Sequence, residues 1–529
     1  MIRKIKHIIT RLPLLAVLAG CLTGRAQQNP PVPHINIMFA ISDDQSYPHS
    51  SAYGQQVFHT PVFDSVAANG LLFTNAFVAA PQCSPSRAAI LTGRLIWQLE
   101  EAGTHASIFP DKFPVFTDAL EKAGYLIGYT GKPWDPGNYL AGGWKRNPVG
   151  PEYNARKLTR PPTTGISKTD YVANFKDFLS AKSADQPFFF WFGAQEPHRN
   201  YEEGSGAAAG LHPDSVHVPA FLPDQQLVRN DMLDYALEIQ WFDTQLGKML
   251  QLLKERGELA NTVVVITSDN GMAFPYAKAN LQEYGIHVPL AVCGPVVTGK
   301  QRKINDLVSL TDLAPTFLDI AQLDHFAGIT GKTLMPIFSD TRSGIIDTSR
   351  SFILAGRERH SHARPDNLGY PARAIRTQQY LFIKNDKPDR WPLGDPPPAE
   401  QRPVTGKTDM KPILEGYEDI DDSPTKSFII KNKSLFPELF QLGFAKRGSE
   451  ELYDISKDPD CLHDLSDNPG MKKVRNSLRK QLEQQLTLQG DPRMTGKGDV
   501  FDAYPRFGLM RPFDGFKERG KYNPAYLKK

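Results

Sequence analysis

The chain has 529 residues, of which 40% are apolar and 22% charged, and its 61 basic against 58 acidic residues leave a formal net charge of +3. This length exceeds one ordinary core and predicts two or more domains, or one large α/β domain with an appendage. The composition excludes a disordered chain, and the near balance of charge gives no case for wholesale nucleic-acid binding.

The N-terminus comes first. Met1 to Arg11 is basic and Leu12 to Gly20 is a short apolar run, which together read as a secretion signal over residues 1–20, too short to span a bilayer as a mature helix. Leu18-Ala19-Gly20-Cys21 resembles a bacterial lipobox, in which Cys21 is lipidated; the alternative is an ordinary signal cut near Ala26. Either reading predicts an exported protein, in the periplasm or on the bacterial cell surface, touching membrane only through a lipid anchor. Residues 21–33 read as a linker.

His34 to Ile41 is an apolar run of strand length that ends at Asp43 and Asp44. The same pattern recurs where 125–132 ends at Lys132, where 187–198 ends at Glu196 and His198, and where Thr262 to Ser268 ends at Asp269 and Asn270. Between these strands lie helical periodicities, the clearest from Asn230 to Arg256 with Gly257 as its stop. Alternating strands and helices predict a large, predominantly parallel sheet covered by helices on both faces, over residues 34–340. From 341 to 529 the pattern changes to a smaller α+β subdomain, with antiparallel strands at Ser351–Gly356 and within Ala374–Lys384 and a charged amphipathic helix from Met471 to Leu488.

Asp43, Asp44, Asp269 and Asn270 are four hard oxygen donors at the ends of two strands. With no paired His or Cys nearby they favour Ca2+ or Mg2+ over zinc, although each pair alone also suits a turn or helix cap. Arg87, Lys132, His198 and Lys278 fall near element ends and carry the charge needed to neutralise an oxyanion, or else are surface lysines and a capping histidine. Beyond Cys21 the cysteines are Cys83, Cys293 and Cys461, an odd number that cannot all pair internally. Cys293 reads as a buried strand residue, and the pairing of Cys461 is open. Cys83 lacks the arginine spacing of a thiolate phosphatase, since position 89 is Ala, and it lacks partners for zinc. A hard-metal site would be better served by oxygen at position 83.

Cys83-Ser84-Pro85-Ser86-Arg87, followed by Leu91-Thr92-Gly93-Arg94, resembles the signature of the type I sulfatases, with Asp43-Asp44 upstream and Ser268-Asp269-Asn270-Gly271 downstream in the family's order. The resemblance runs from about His34 to the segment Glu451 to Pro459. It implies the alkaline-phosphatase-like sulfatase fold, with 34–340 as the catalytic domain, and oxidation of Cys83 to formylglycine (3-oxoalanine) by a formylglycine-generating maturation enzyme. The hydrated aldehyde then attacks sulfur. The resemblance further implies that Asp43, Asp44, Asp269, Asn270 and modified Cys83 hold one Ca2+ ion, Mg2+ being the lesser candidate. By the same likeness Arg87 supports the formylglycine, Lys132 and Lys278 contact sulfate oxygens, and His198 is a candidate general acid, a residue type suited to that task near neutral pH.

One position departs from the family. Where Lys-x-His is common, this chain has Lys132-Pro133-Trp134, so the base for sulfate release must be another group, Asp135 or a neighbouring carboxylate. The segments around Lys278 and around Arg357 to Arg376 most resemble the heparan N-sulfatase branch. This makes Arg357, Arg359, His360 and Arg373 candidate ligands of a sulfated sugar, with bracing of the subdomain interface as the alternative. The implied substrate is a sulfated polysaccharide or oligosaccharide, either N-sulfoglucosamine of heparan or a sulfate ester of a glycan such as ulvan. A phosphate or phosphonate monoester hydrolase on the same fold and a non-catalytic glycan-binding protein are the competing readings.

Overall fold

The computed structural model describes residues 35–397, 415–508 and 511. The expected signal over 1–20, the linker over 21–33 and Cys21 lie outside the described residues. The described residues form one compact unit. Among the described residues no helix is long and apolar enough to cross a membrane.

Eight strands build the larger sheet: β1 (Asn36–Ser42), β2 (Leu71–Phe77), β3 (Leu126–Gly131), β4 (Phe188–Gly193), β5 (Thr262–Ser268), β6 (His287–Cys293), β7 (Arg302–Ile304) and β8 (Val308–Ser309). Their order is β3-β4-β1-β5-β6-β2-β7, with β8 also paired to β2. The four strands legible as apolar runs lie side by side and parallel. β6 runs antiparallel to both of its neighbours, which makes the sheet mixed but mostly parallel.

Alternation along β1 shows why the sheet is covered twice. Ile37, Phe39 and Ile41 enter one core with the helices Cys83–Thr92, Phe116–Lys122 and Leu313–Ile320, while Met38 and Ala40 enter a second core with Pro61–Ala68 and Tyr171–Ser180. Successive side chains on a strand point to opposite faces, so a strand covered on both sides is apolar throughout. The long helix Gln226–Glu255 packs across this second core, and Gly257, with a positive φ of 72°, follows its end.

Register positions the site. Ser42 lies opposite Ser268, Ile41 opposite Gly193, and Gly193 opposite Gly131. The residues that follow β1, β3 and β5, namely Asp43, Lys132 and Asp269, therefore emerge together at one edge. Gly131 must be glycine: its φ is 79°, and a Cβ there would meet the Gly193 carbonyl oxygen at 1.9 Å. That close approach lets the Lys132 amide donate to the same carbonyl at 2.6 Å.

A second sheet holds β9 (Phe352–Arg357), β10 (Ala372–Thr377), β11 (Tyr380–Asn385) and β12 (Glu450–Asp454), all antiparallel, in the order β12-β11-β10-β9. The stretch Ala374–Lys384 divides into β10 and β11 around Gln378-Gln379, where the Tyr380 amide donates to Thr377 Oγ1 at 3.0 Å. The helix Lys472–Leu488 buries Leu478, Leu482 and Leu486, one stripe at four-residue spacing.

Candidate active site

Cys83 is the first residue of the helix Cys83–Thr92, all ten residues of which are buried. Pro85 falls in the first turn, where its missing N–H removes no helical bond. Gly93, at φ 65°, closes the helix by donating to the Ala89 carbonyl. The helix N-terminus thus holds Cys83 at the sheet edge, with its thiol donating to Asp43 Oδ1 at 3.4 Å. Burial first, and Asp43 next, push this thiol well above its ordinary pKa, so the thiolate is disfavoured.

Asp43, Asp44 and Asp269 are buried, with carboxylate oxygens within 4.8 Å of one another. Asp44 adopts a positive φ of 73°, a conformation that Asp tolerates better than most residues and that is found at functional sites. Its backbone amide donates to Asp269 Oδ1 at 3.1 Å, and Asn270 Nδ2 donates to Asp44 Oδ1 at 2.5 Å. Asn270 Oδ1 is buried with no hydrogen-bond partner. Three carboxylates and an unused amide oxygen in one buried place fit a hard divalent cation and not zinc.

Cations surround this cluster. Lys132 Nζ lies 2.5 Å from Asp43 Oδ2, Arg87 Nε 2.7 Å from Asp269 Oδ2, and Lys278 Nζ 2.6 Å from Asp44 Oδ2. Burial alone raises the Asp43 carboxyl, but Lys132, His198, Arg87 and Lys278 outweigh it and hold the group well below the usual carboxylate range. Arg87 Nη1 is fixed by the carbonyls of Lys132 and Pro133 at 2.7 and 3.0 Å. Its Nη2 is buried without a hydrogen-bond partner and lies 3.9 Å from Asp43 Oδ1. His198 is about a third exposed, with Nδ1 2.6 Å from the Arg199 carbonyl and Nε2 3.1 Å from Lys278 Nζ.

Asp43, Cys83, Lys132, His198 and Lys278 line a cavity of about 700 Å³ together with His360, Glu418, Asp421, Arg506 and Arg511. Of the sequence-predicted sugar ligands, only His360 reaches it. Arg357, Arg359 and Arg373 do not: each is at most 1% exposed. Arg357 pairs with Asp419 at 3.3 Å, Arg359 donates to the carbonyls of Tyr504 and Pro505, and Arg373 pairs with Asp491 at 2.6 Å and Glu358 at 2.7 Å. Desolvating a guanidinium is tolerated only with such partners, and they turn these three residues into interior braces. Glu196, another strand-end acid, is likewise internal, accepting from the Ser167 amide and the Tyr171 hydroxyl.

Trp134 is buried, donating from Nε1 to the Ser84 carbonyl at 3.0 Å and packing against Phe109. Asp135 lines the cavity and is exposed. Sequence reasoning missed His105, which lines the same cavity with its ring 4.5 Å from that of His360. Burial first, then His360, Arg506, Lys278 and Lys132, push its pKa well below the ordinary value and keep the imidazole neutral. Asp421, Arg506 and Arg511 were also missed. They arrive on irregular segments that show neither periodicity nor motif.

The buried oxygen-donor cluster, Cys83 and the lysines Lys132 and Lys278 thus come together at one cavity, and the chain belongs to the sulfatase family, a class of sulfuric ester hydrolases. Residues 35–323 match the family described as Sulfatase, and residues 274–419 match the C-terminal region described as N-sulphoglucosamine sulphohydrolase. The chain is 26% identical over 463 residues to an ulvan-active sulfatase of Formosa agariphila, covering 86% of this chain and 80% of that one. It is also 26% identical over 513 residues to human N-sulphoglucosamine sulphohydrolase, covering 88% and 93%. Among solved structures, a 2-O GAG sulfatase superposes with a TM-score of 0.60 at 19% identity, covering 87% of this chain and 94% of that one, a likeness of fold alone.

Proposed function

We propose that this protein is exported and removes sulfate groups, carried on nitrogen or on oxygen, from a sulfated polysaccharide such as heparan or ulvan or from its oligosaccharides. The observation that carries the reading is the buried oxygen-donor cluster facing Cys83, with Lys132 and Lys278 turned into the same cavity. Asp43, Asp44, Asp269 and Asn270 would hold the cation, Ca2+ ahead of Mg2+, together with an oxygen made at position 83. When present, the cation and a formylglycine derived from Cys83 supply, respectively, polarising charge and an oxygen nucleophile.

The remaining chemistry belongs to encoded side chains. Lys132 and Lys278 neutralise the sulfate oxygens, and burial makes each charge count for more than it would in water. Arg87 is too firmly held by Asp269 and two carbonyls to move, so it acts as fixed positive charge behind residue 83. His198, which lines the cavity with Nε2 3.1 Å from Lys278 Nζ, is the proton donor to the departing amine or alcohol. Trp134 cannot take a proton, so the base is Asp135 or another cavity group, among them the carboxylates of Glu418 and Asp422 and the imidazole of His105.

The test is product analysis with defined N-sulfated, O-sulfated and ulvan oligosaccharides, alongside aryl sulfate and aryl phosphate. Release of sulfate from at least one glycan, with aryl phosphate turned over poorly, is expected. Preference for aryl phosphate would move the protein to the phosphate and phosphonate monoester hydrolases. Mass spectrometry of the peptide containing Cys83 is expected to show loss of the thiol, and an intact thiol in active protein would defeat the formylglycine reading. Metabolic lipid labelling of Cys21 tests the proposed anchor.

A further inference from the structure

We propose that Asp421 is a positioning residue for Lys278, delivered to the reaction centre by a loop that a buried ion cluster around Asp419 holds in place. The inference rests on the reading of Lys278 as a contact to sulfate oxygens.

An ammonium has three protons to donate; Lys278 gives two of them to Asp44 Oδ2 at 2.6 Å and Asp421 Oδ2 at 3.0 Å, and the third, on the side of His198 Nε2 at 3.1 Å, is left for a sulfate oxygen. Asp44, His198 and Asp421 also lie within 4.8 Å of one another, but the ammonium already occupies the place between them, so this trio holds a lysine and not a metal. Asp44 belongs to the oxygen cluster, where a bound cation would share its charge and loosen its hold on Lys278. Asp421 stands outside the Asp43, Asp44 and Asp269 group, and its carboxylate accepts a hydrogen bond from Lys278.

The loop bearing Asp421 is anchored from below. Tyr417 and Asp419 donate their amides to the carbonyls of Asp395 and Leu393 at 2.8 and 2.9 Å. The Asp419 side chain is fully buried, pairing with Arg364 at 2.7 Å and Arg357 at 3.3 Å and accepting from the Ser361 amide at 2.8 Å. Burial raises the Asp419 carboxyl, but Arg364, His360 and Arg357 outweigh it and keep the group charged. Two residues on, Asp421 is 30% exposed at the cavity wall. Arg357 thus serves the site at one remove, by fixing the loop that fixes Lys278.

The sign of one measurement separates positioning from mere charge. A carboxylate near the sulfate site repels the anion, so if Asp421 contributed only its charge, Asp421→Asn would tighten the binding of inorganic sulfate. Positioning predicts the reverse. Calorimetry on the full chain with Cys83 in its encoded form should show sulfate affinity falling in Asp421→Asn and in Asp421→Ser, with partial recovery in Asp421→Glu. The matured enzyme should lose on the order of 10- to 100-fold in kcat/KM, as is usual for partners of site residues. In a Lys278→Ala background Asp421→Asn should add no further loss. Unchanged or tighter sulfate binding in Asp421→Asn, or a fully additive loss in the Lys278→Ala background, overturns the proposal. If Lys278→Ala weakens binding and Asp421→Asn does not, only the role of Asp421 falls. If Lys278→Ala itself has no effect, the reading of Lys278 falls with it.

Discussion

Replacing Arg373 with methionine tests what the basic cluster of the second sheet does. Arg373 and both of its carboxylate partners, Glu358 and Asp491, are 0% exposed. After the replacement Glu358 keeps Arg493, at 2.5 Å, whereas Asp491 is left with only the backbone amide of Arg493. Methionine roughly fills the volume against Trp97 and Phe501, so the cost is chiefly that of a stranded buried charge, about 3–5 kcal/mol. An unfolding entropy of about 2.1 cal/mol/K per residue, for a cooperative unit of this size, makes this a fall of roughly 3–5 °C in Tm. The assay is thermal melting at a fixed scan rate, paired with KM for a sulfated oligosaccharide. A lower Tm with unchanged KM is expected, and Asp491→Leu in the same chain should recover much of the loss. A protein that melts like the wild type but shows a raised KM would refute the bracing role and return the guanidinium to the substrate.

Three further outcomes are expected. Ca2+ should raise the Tm of the wild type by selective binding to the folded state, and Asn270→Ala should shrink that rise; an equal rise in both removes Asn270 from the metal site. Cys83→Ala should abolish turnover while melting within about 1 kcal/mol of the wild type, so retained activity would defeat the assignment of residue 83. Burial first, then Glu196 and Asp234, push the Glu238 carboxyl up from 4.5 to about 9. The folded state therefore holds the extra proton, and this group's contribution is complete below 4.5 and lost as pH rises through about 9. Glu238→Gln should flatten the decline in Tm between weakly acidic and alkaline buffer, and an unchanged decline would refute the cause.

The central sheet was legible wherever burial on both faces wrote itself as an unbroken apolar run, as in Phe188 to Gly193. β2 was not, because Leu71–Phe77 mixes Thr74 and Asn75 among apolar residues, and neither was the reversed direction of β6, which no local pattern encodes. The hairpin between β10 and β11 turns at two glutamines with no Gly or Pro to mark it. In the site, Asp43, Asp44, Cys83, Lys132, Asp269 and Asn270 could be found because each stands at the end of a regular element, where register alone brings it to its neighbours. That Arg357, Arg359 and Arg373 are buried away from the cavity could not be read beforehand, because a sequence displays a charge and hides its partner: Asp419 and Asp491 lie 62 and 118 residues away from Arg357 and Arg373. Asp421, 143 residues from Lys278, was invisible for the same reason.

The helix that begins at Cys83 has no solvent-facing side, and Cys83 itself is 1% exposed. Within the folded chain almost none of this segment is presented at the surface. Under the proposed conversion the order of events is therefore fixed, with oxidation on an unfolded chain and folding afterwards. Folding becomes a one-way seal. If Cys83 is converted as proposed, a molecule that folds before conversion would be shut with its thiol inside and inert, so the yield of working enzyme would be set by a race between two rates.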